Sequence, residues 1–254
     1  MRLSNRPAPW KDLAARLARI VLPQDCHLCD VALSDRARPS HVPLLCHACA
    51  DVLPRIGAHC PICAMPVVTR DTAPDICGQC LRRRPHFDAT HAAMEYAFPV
   101  DRMVQSLKYA ANLPLASTFA RLLLDALPSL DQDTVMVAMP LHPGRLRQRG
   151  FNQALEIARH VARHGNIELI VDGVRRIRDT PAQAGLHIVQ RRANIRRAFA
   201  CDIDIEGRTV AVVDDVMTTG ATLDELARTL KRSGAARVEN WVVARTITQG
   251  TKHV

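Results

Sequence analysis

The residues of this 254-residue chain best suited to chemistry lie together at Val210–Thr222, Val-Ala-Val-Val-Asp-Asp-Val-Met-Thr-Thr-Gly-Ala-Thr. Val210 to Val213 is an apolar, mostly β-branched run that predicts a buried strand. Asp214 and Asp215 follow at its tip, then the turn Thr218-Thr219-Gly220. Thr222 is expected to open a helix, with Glu225 three residues on completing a capping box. A strand that gives way to a helix in this manner makes an anion site, because free N–H groups and the positive helix end face one point. Gly220 lets the backbone approach a ligand closely, and threonine hydroxyls add donors. Two carboxylates beside such a site would repel a bare phosphate. They fit a ligand that also carries hydroxyls or a metal nearby, as a sugar phosphate does. The plainer alternative is a strand–turn–helix unit with chance polar residues.

A second constellation is made of cysteines. Eight of the nine fall in Cys-x-x-Cys pairs: Cys26/Cys29, Cys46/Cys49, Cys60/Cys63 and Cys77/Cys80. Sixteen residues separate the first two pairs and thirteen the last two. Two such pairs complete a tetrahedral Cys₄ site, so four pairs supply two Zn²⁺ ions. Sequential pairing is expected, though spacing leaves an interleaved arrangement open. The intervening loops are short and poor in large apolar residues, so ligation would replace the missing core. With every position filled by sulfur, such sites are structural. Thioredoxin-type redox pairs and iron–sulfur ligation are the rivals. Cys201 stands alone and reads as a small apolar residue. His27 and His47 are spare ligands at best.

Composition bounds the class. Hydrophobic residues make up 48% of the chain, enough for a core, and the formal net charge is +9. Between Arg145 and Arg197 twelve arginines face four acids, Glu156, Glu168, Asp172 and Asp179. That block attracts an anion such as diphosphate or nucleic acid, or forms a solvated basic face. No apolar run reaches the roughly 20 residues a membrane span needs. No secretory leader is visible, and cysteine usage suits a reducing compartment, so a soluble cytoplasmic protein with no membrane partner is expected.

The elements that must position these residues follow in order. Trp10, Leu13, Ala14, Leu17, Ile20 and Val21 have helical spacing, so residues 1–22 are expected to hold an amphipathic helix. Residues 23–84 form the cysteine module, closed by Leu81-Arg82-Arg83-Arg84-Pro85, and a second domain spans 85–254. Strands are expected at 92–98, 135–139, 169–174, 210–213 and 238–247. Helices are expected at 104–109, 115–127, 154–164 and 222–232, the last closed by Ser233-Gly234. The alternation from 135 onward implies an α/β fold with a parallel sheet, whose ligand loops lie at the carboxyl edge. Pro140-Leu141-His142-Pro143-Gly144 reads as a turn through which no helix continues, leading to Arg145, Arg147 and Arg149. This loop is the candidate for a diphosphate group, since arginine holds phosphate bidentately. Residues 175–197 form a long polar stretch, read as a mobile lid with a helix at 186–195.

The Val210–Thr222 stretch resembles the phosphoribosyl diphosphate (PRPP) loop of type I phosphoribosyltransferases. The chain from Cys26 to Ile247 resembles the ComF family, which is linked to natural competence and includes DNA utilization proteins of the GntX type. The resemblance rests on several motifs: the four cysteine pairs, Leu107-Lys108-Tyr109, Arg145 with Arg149-Gly150-Phe151-Asn152-Gln153, Arg178-Asp179-Thr180 with Gln183, Arg191-Arg192 with Asn194, and the PRPP loop. It implies a double zinc ribbon ahead of a type I phosphoribosyltransferase domain. It further implies that Val216, Met217, Thr218, Thr219, Gly220, Ala221 and Thr222 bind PRPP, with the backbone of Thr218 to Thr222 on the 5′-phosphate, while Asp214 and Asp215 are catalytic, meeting the ribose hydroxyls and stabilising charge at the anomeric carbon. Arg145, Arg149, Asn152, Gln153, Arg178, Thr180, Gln183, Arg191, Asn194 and Lys108 would serve the diphosphate and lid, with Mg²⁺ arriving alongside PRPP. The acceptor nucleophile is not identified. The alternative is a binding module for single-stranded DNA, or an adaptor docking a helicase-type competence partner, on a non-catalytic scaffold. Against DNA, aromatic residues are only 4%, where stacking platforms need them. For it, cationic charge alone gives salt-sensitive binding.

Overall fold

The computed structural model describes residues 25–33, 42–68, 75–128, 133–178 and 195–247. The amphipathic stretch at 10–21, most of the expected lid, and Thr180, Gln183, Arg191 and Asn194 lie outside the described residues. The chain divides into two compact units, Met1–Val52 and Leu53–Val254.

The first unit carries Cys26, Cys29, Cys46 and Cys49. An antiparallel bridge between Asp25 and Ala32 brackets a turn over 27–29. The Cys26 N–H donates to the Val31 carbonyl at 2.8 Å, and Asp30 takes a left-handed φ of 55°. Cys46 is the N-cap of a one-turn helix, α1 (His47–Asp51), which carries Cys49.

The second unit repeats this device. His59 bridges Pro66, the Cys60 N–H donates to Met65 at 2.8 Å, and Ala64 takes φ 54°. Cys77 then caps α2 (Gly78–Arg82), which carries Cys80. Each cluster therefore joins one hairpin knuckle to one helical turn, rather than two like knuckles. Cys60, Ile62, Cys63 and Cys80 are buried in the same core as Phe87, Met217 and Leu223.

The sheet is five-stranded and parallel: β1 (Ala89–Glu95), β2 (Thr134–Ala138), β3 (Glu168–Ile170), β6 (Thr209–Met217) and β7 (Arg237–Arg245), in the order β1-β7-β6-β2-β3. β2 and the first half of β6 are apolar runs because both faces of the sheet centre are covered. Helices α3 (Val100–Tyr109), α4 (Leu115–Ala126), α5 (Pro143–Arg149), α6 (Gln153–Gly165) and α7 (Ala221–Arg232) complete the unit. Leu223, Leu226, Ala227 and Leu230 of α7 share a core with Val210, Val212, Val238 and Val242. β6 lies at the centre, between β7 and β2, so its carboxyl end opens beside the loop that follows β2.

Three expectations change. The strand expected at 169–174 is two short strands, β3 and β4 (Val174–Arg176), split by Gly173 at φ 92°. β4 pairs antiparallel with β5 (Phe199–Cys201), a strand no expectation covers, lying just past the polar stretch of 175–197. The Pro140–Gly144 turn does lead into a helix, α5, with Pro143 in its first turn and the His142 ring accepting from the Gly144 N–H at 3.3 Å. Proline at that position lacks an N–H the helix would leave unpaired anyway.

Candidate phosphate and sugar site

β6 runs on through both acids to Met217, so the carboxylates lie within the strand and not beyond its tip. Adjacent strand residues point to opposite faces. Asp214 lines a pocket of about 160 Å³ with Leu141, Arg176 and the turn Thr218–Thr222. Asp215 is 4% exposed and faces Lys108 of α3, whose Nζ stands 2.9 Å from Oδ2. Among the described residues this ion pair is the one polar contact of the buried Asp215 Oδ2. The twin acids thus divide: one meets the pocket, the other anchors a cation behind it.

Charge follows position. Burial, then the neighbouring Asp215 carboxylate, raises Asp214 to about 7, against the pull of Lys108, the Asp215 N–H and Arg176. The Asp215 N–H donates to Asp214 Oδ1 at 2.8 Å, which fixes the carboxylate at the pocket wall. Burial works against a charged Lys108, yet Asp215 and Asp214 outweigh it and hold the ammonium above its ordinary range.

The turn itself differs from the expected capping box. Gly220, not Thr222, is the N-cap of α7, at φ 76° and ψ 0°, with no side-chain cap. The left-handed φ is what favours glycine there; a Cβ would meet only the Met217 Cε, at 2.5 Å, the movable end of a flexible side chain. Glu225 is engaged elsewhere: it accepts from the Arg197 N–H at 2.6 Å and pairs with Arg228. The Thr219 hydroxyl accepts from the Ala221 N–H at 3.4 Å.

The loop after β2 is tied to this site by its backbone. The Met139 N–H donates to the Val213 carbonyl at 2.8 Å. Asn152 caps α6, accepting from Ala154 and Leu155, while its Nδ2 donates to the Met139 carbonyl at 3.0 Å. Arg149 Nη1 donates to Gln153 Oε1 at 2.7 Å, and its guanidinium lies 5.8 Å from the centre of the Tyr109 ring. Asn152 and Gln153 therefore shape the loop. Arg145 and Arg149 ride on α5, outside the residues lining the Asp214 pocket. Arg178 is exposed, with Nη1 donating to the Arg196 carbonyl at 2.8 Å. A larger cleft of about 630 Å³ runs between α5, α6 and β4, and Leu141 and Arg176 line both cavities. The sequence reading missed Arg176; its one signal was a place in a basic stretch between two strands.

The cysteine clusters fit a tetrahedral metal. In each, four Sγ atoms lie within 4.8 Å of one another. A Zn–S bond of about 2.3 Å implies sulfur separations of about 3.8 Å. Cys29 and Cys46 are 3.7 Å apart, Cys63 and Cys77 3.5 Å. Burial opposes ionisation of Cys26, but N–H groups of Cys46, Leu28 and Cys29 outweigh it and bring the thiol down to about 7. Cys60 is lowered by the same balance. Burial, chiefly, pushes Cys63 up to about 11, so the cluster as a whole needs a cation before it is fully thiolate. Pairing is sequential, and both clusters could hold zinc.

Residues 148–253 match the family model of the phosphoribosyl transferase domain. The DNA utilization protein YhgH of Escherichia coli K12 is 32% identical over 209 residues, spanning 80% of this chain and 91% of its own. Competence protein F of Haemophilus influenzae is 32% identical over 178 residues, 66% of this chain and 78% of its own. Competence protein ComFC of Bacillus subtilis is 25% identical over 242 residues, 87% of this chain and 95% of its own. No described helix is long and apolar enough to cross a membrane. With a phosphoribosyl transferase domain on a parallel α/β sheet and two Cys₄ clusters, the chain belongs to the ComF family of DNA utilization and competence proteins.

Proposed function

We propose that the protein binds PRPP at the β6–α7 junction and transfers its phosphoribosyl group to a nitrogen acceptor. The observation that carries this reading is the shared pocket of Asp214 and the glycine-capped turn Thr218–Thr222. The turn's N–H groups and the α7 N-terminus take the 5′-phosphate. Asp214, ionised, accepts from the ribose hydroxyls and faces the positive charge that develops at the anomeric carbon. Asp215 acts behind it, holding Lys108 where its charge favours the Asp214 carboxylate. Arg176, which lines both cavities, would meet the departing diphosphate; Arg145, Arg149 and Arg178 are the further cations this reading assigns to it, though none lines either cavity. Magnesium would screen the diphosphate charge, and Asp214 is the acid that would hold it beside the substrate. The clusters Cys26/Cys29/Cys46/Cys49 and Cys60/Cys63/Cys77/Cys80 hold structural zinc.

Calorimetry with Mg·PRPP tests this, and pH sharpens it. If the ligand needs ionised Asp214, affinity rises with pH through about 7. Binding at pH 6 should be roughly tenfold weaker than at pH 8. Ribose 5-phosphate should bind through the same turn, more weakly. A screen for diphosphate release across nitrogen bases then seeks the acceptor. No binding of Mg·PRPP at either pH rejects the assignment.

A second reading has one observation in its favour. A cleft of about 560 Å³ is bordered by Arg83, Arg196, Arg197, Arg228 and Arg232, against the two acids Asp224 and Glu225, the second paired with Arg228. Such a groove suits the backbone of single-stranded DNA, held by charge alone. Binding that falls steeply with salt and ignores PRPP would favour it.

A further inference from the structure

We propose that Arg245 is a positioning residue through which the second cysteine cluster presets the phosphate-binding turn, so that metal and sugar phosphate bind cooperatively. The proposal rests on the PRPP reading above for its ligand, but its structural half stands apart from it.

Arg245 ends β7 opposite Met217, the last residue of β6. Its side chain is 4% exposed and folds across the ends of both strands. Nε donates to the Cys63 carbonyl at 2.9 Å. Nη1 donates to the carbonyls of Met217 at 3.1 Å and Thr246 at 2.8 Å, and also to that of Thr218. One guanidinium thus ties the backbone of a cysteine ligand to the first residues of the turn. Cys63, Cys80, Phe87, Met217, Gly220 and Arg245 line one small cavity between them.

The geometry acts on the anion site through the peptide plane. In a trans peptide the carbonyl and the next N–H point in opposite directions. Drawing the carbonyls of Met217 and Thr218 onto Arg245 turns the N–H groups of Thr218 and Thr219 away from it. These are N–H groups the phosphate needs, held before the ligand arrives. A buried guanidinium is costly unless both its donors and its charge are met. The carbonyls meet the Nε and Nη1 donors. A zinc ion among four thiolates carries a net negative charge, which meets the cation. Metal loss removes that counter-charge and frees the backbone at Cys63, and the turn loses its support.

Hydrogen exchange of the Thr246 and Asp224 amides, which donate to the Met217 and Gly220 carbonyls at the two ends of the turn at 2.9 and 2.8 Å, tests the coupling in the full-length protein without ligand. Four samples form a cycle: wild type and Arg245→Met, each zinc-loaded and chelator-treated. Chelation of the wild type, or Arg245→Met alone, should speed exchange roughly tenfold, the scale of one charge-assisted hydrogen bond. The two together should add little more, because they break one linkage. Unchanged exchange in either single case, or effects that multiply as independent ones do, overturns the proposal. If Arg245→Met fails to fold, judged by melting and bound zinc, Arg245→Lys serves instead. It keeps the charge but loses the fork, and must show a smaller response to chelation. Calorimetry separates the two readings. Zinc-loaded wild type that fails to bind Mg·PRPP rejects the ligand, while the exchange cycle still judges the linkage. Mg·PRPP affinity that is equal with and without zinc rejects cooperativity.

Discussion

Zinc removal is expected to unfold the first cysteine cluster and to lower the melting temperature of the remainder by about 10 °C or more. In the first unit the described buried apolar residues other than cysteine are Val42, Leu45 and Ala50, beside a helix of five residues. That burial cannot offset the entropy of ordering the chain, whereas a structural zinc contributes about 10–16 kcal/mol. The second cluster is different in kind. Cys60 and Ile62 are 0% and 3% exposed and pack with Phe87 and Leu223. Its loss loosens one face of the sheet but leaves β1, β7, β6 and β2 paired. Melting by circular dichroism, with limited proteolysis and assay of released metal, separates the two clusters. Proteolysis near Cys26–Cys49 that is indifferent to a strong chelator would contradict this account.

Asp214→Asn should move ligand affinity and free-protein stability in opposite directions. A carboxyl whose folded-state pKa is raised binds its proton more tightly when folded. Its ionisation therefore costs stability as pH rises from its ordinary range through about 7. Asparagine removes that cost, so the free variant should melt about 5 °C higher at pH 8. The same change removes a charged acceptor from the ribose and should weaken Mg·PRPP by roughly 10–100-fold. It should also flatten the rise of affinity with pH. Residues that hold function at the expense of stability behave this way. Asp215→Asn, by contrast, strands the half-buried Lys108 cation and should destabilise the fold. Thermal melts and calorimetry on the two variants check both signs. An Asp214→Asn protein that is destabilised at pH 8 and binds normally would defeat the assignment.

The cysteine pairing and the strand–turn–helix at 210–222 were legible because each depends on residues close in sequence. The division between Asp214 and Asp215 was also within reach, since side chains alternate along any strand, but the reading stopped the strand at Val213. Glu225 was misassigned for a reason the sequence hides. Its partners, Arg197 and Arg228, include one 28 residues away, and a distant claim on a side chain overrides a local capping pattern. Pro143 breaks a helical pattern that reaches it from the N-terminal side but suits the first turn of the helix it opens, so a proline alone does not say which side of it is helical. Gly173 breaks what looked like one strand, and β5 is too short for its period to show. Arg245 carried no signal at all. It ends an apolar strand, and its role appears only once Cys63 and Met217, far apart in sequence, are brought around it.

The central claim is that a sugar phosphate seats on the N–H groups of the turn after β6. Hydrogen exchange with and without Mg·PRPP measures those groups directly. The account predicts protection concentrated at residues 218–222, lost in Asp214→Asn at equal ligand concentration. Protection confined to the arginine-lined cleft around Arg197, Arg228 and Arg232, with the turn unchanged, would contradict it.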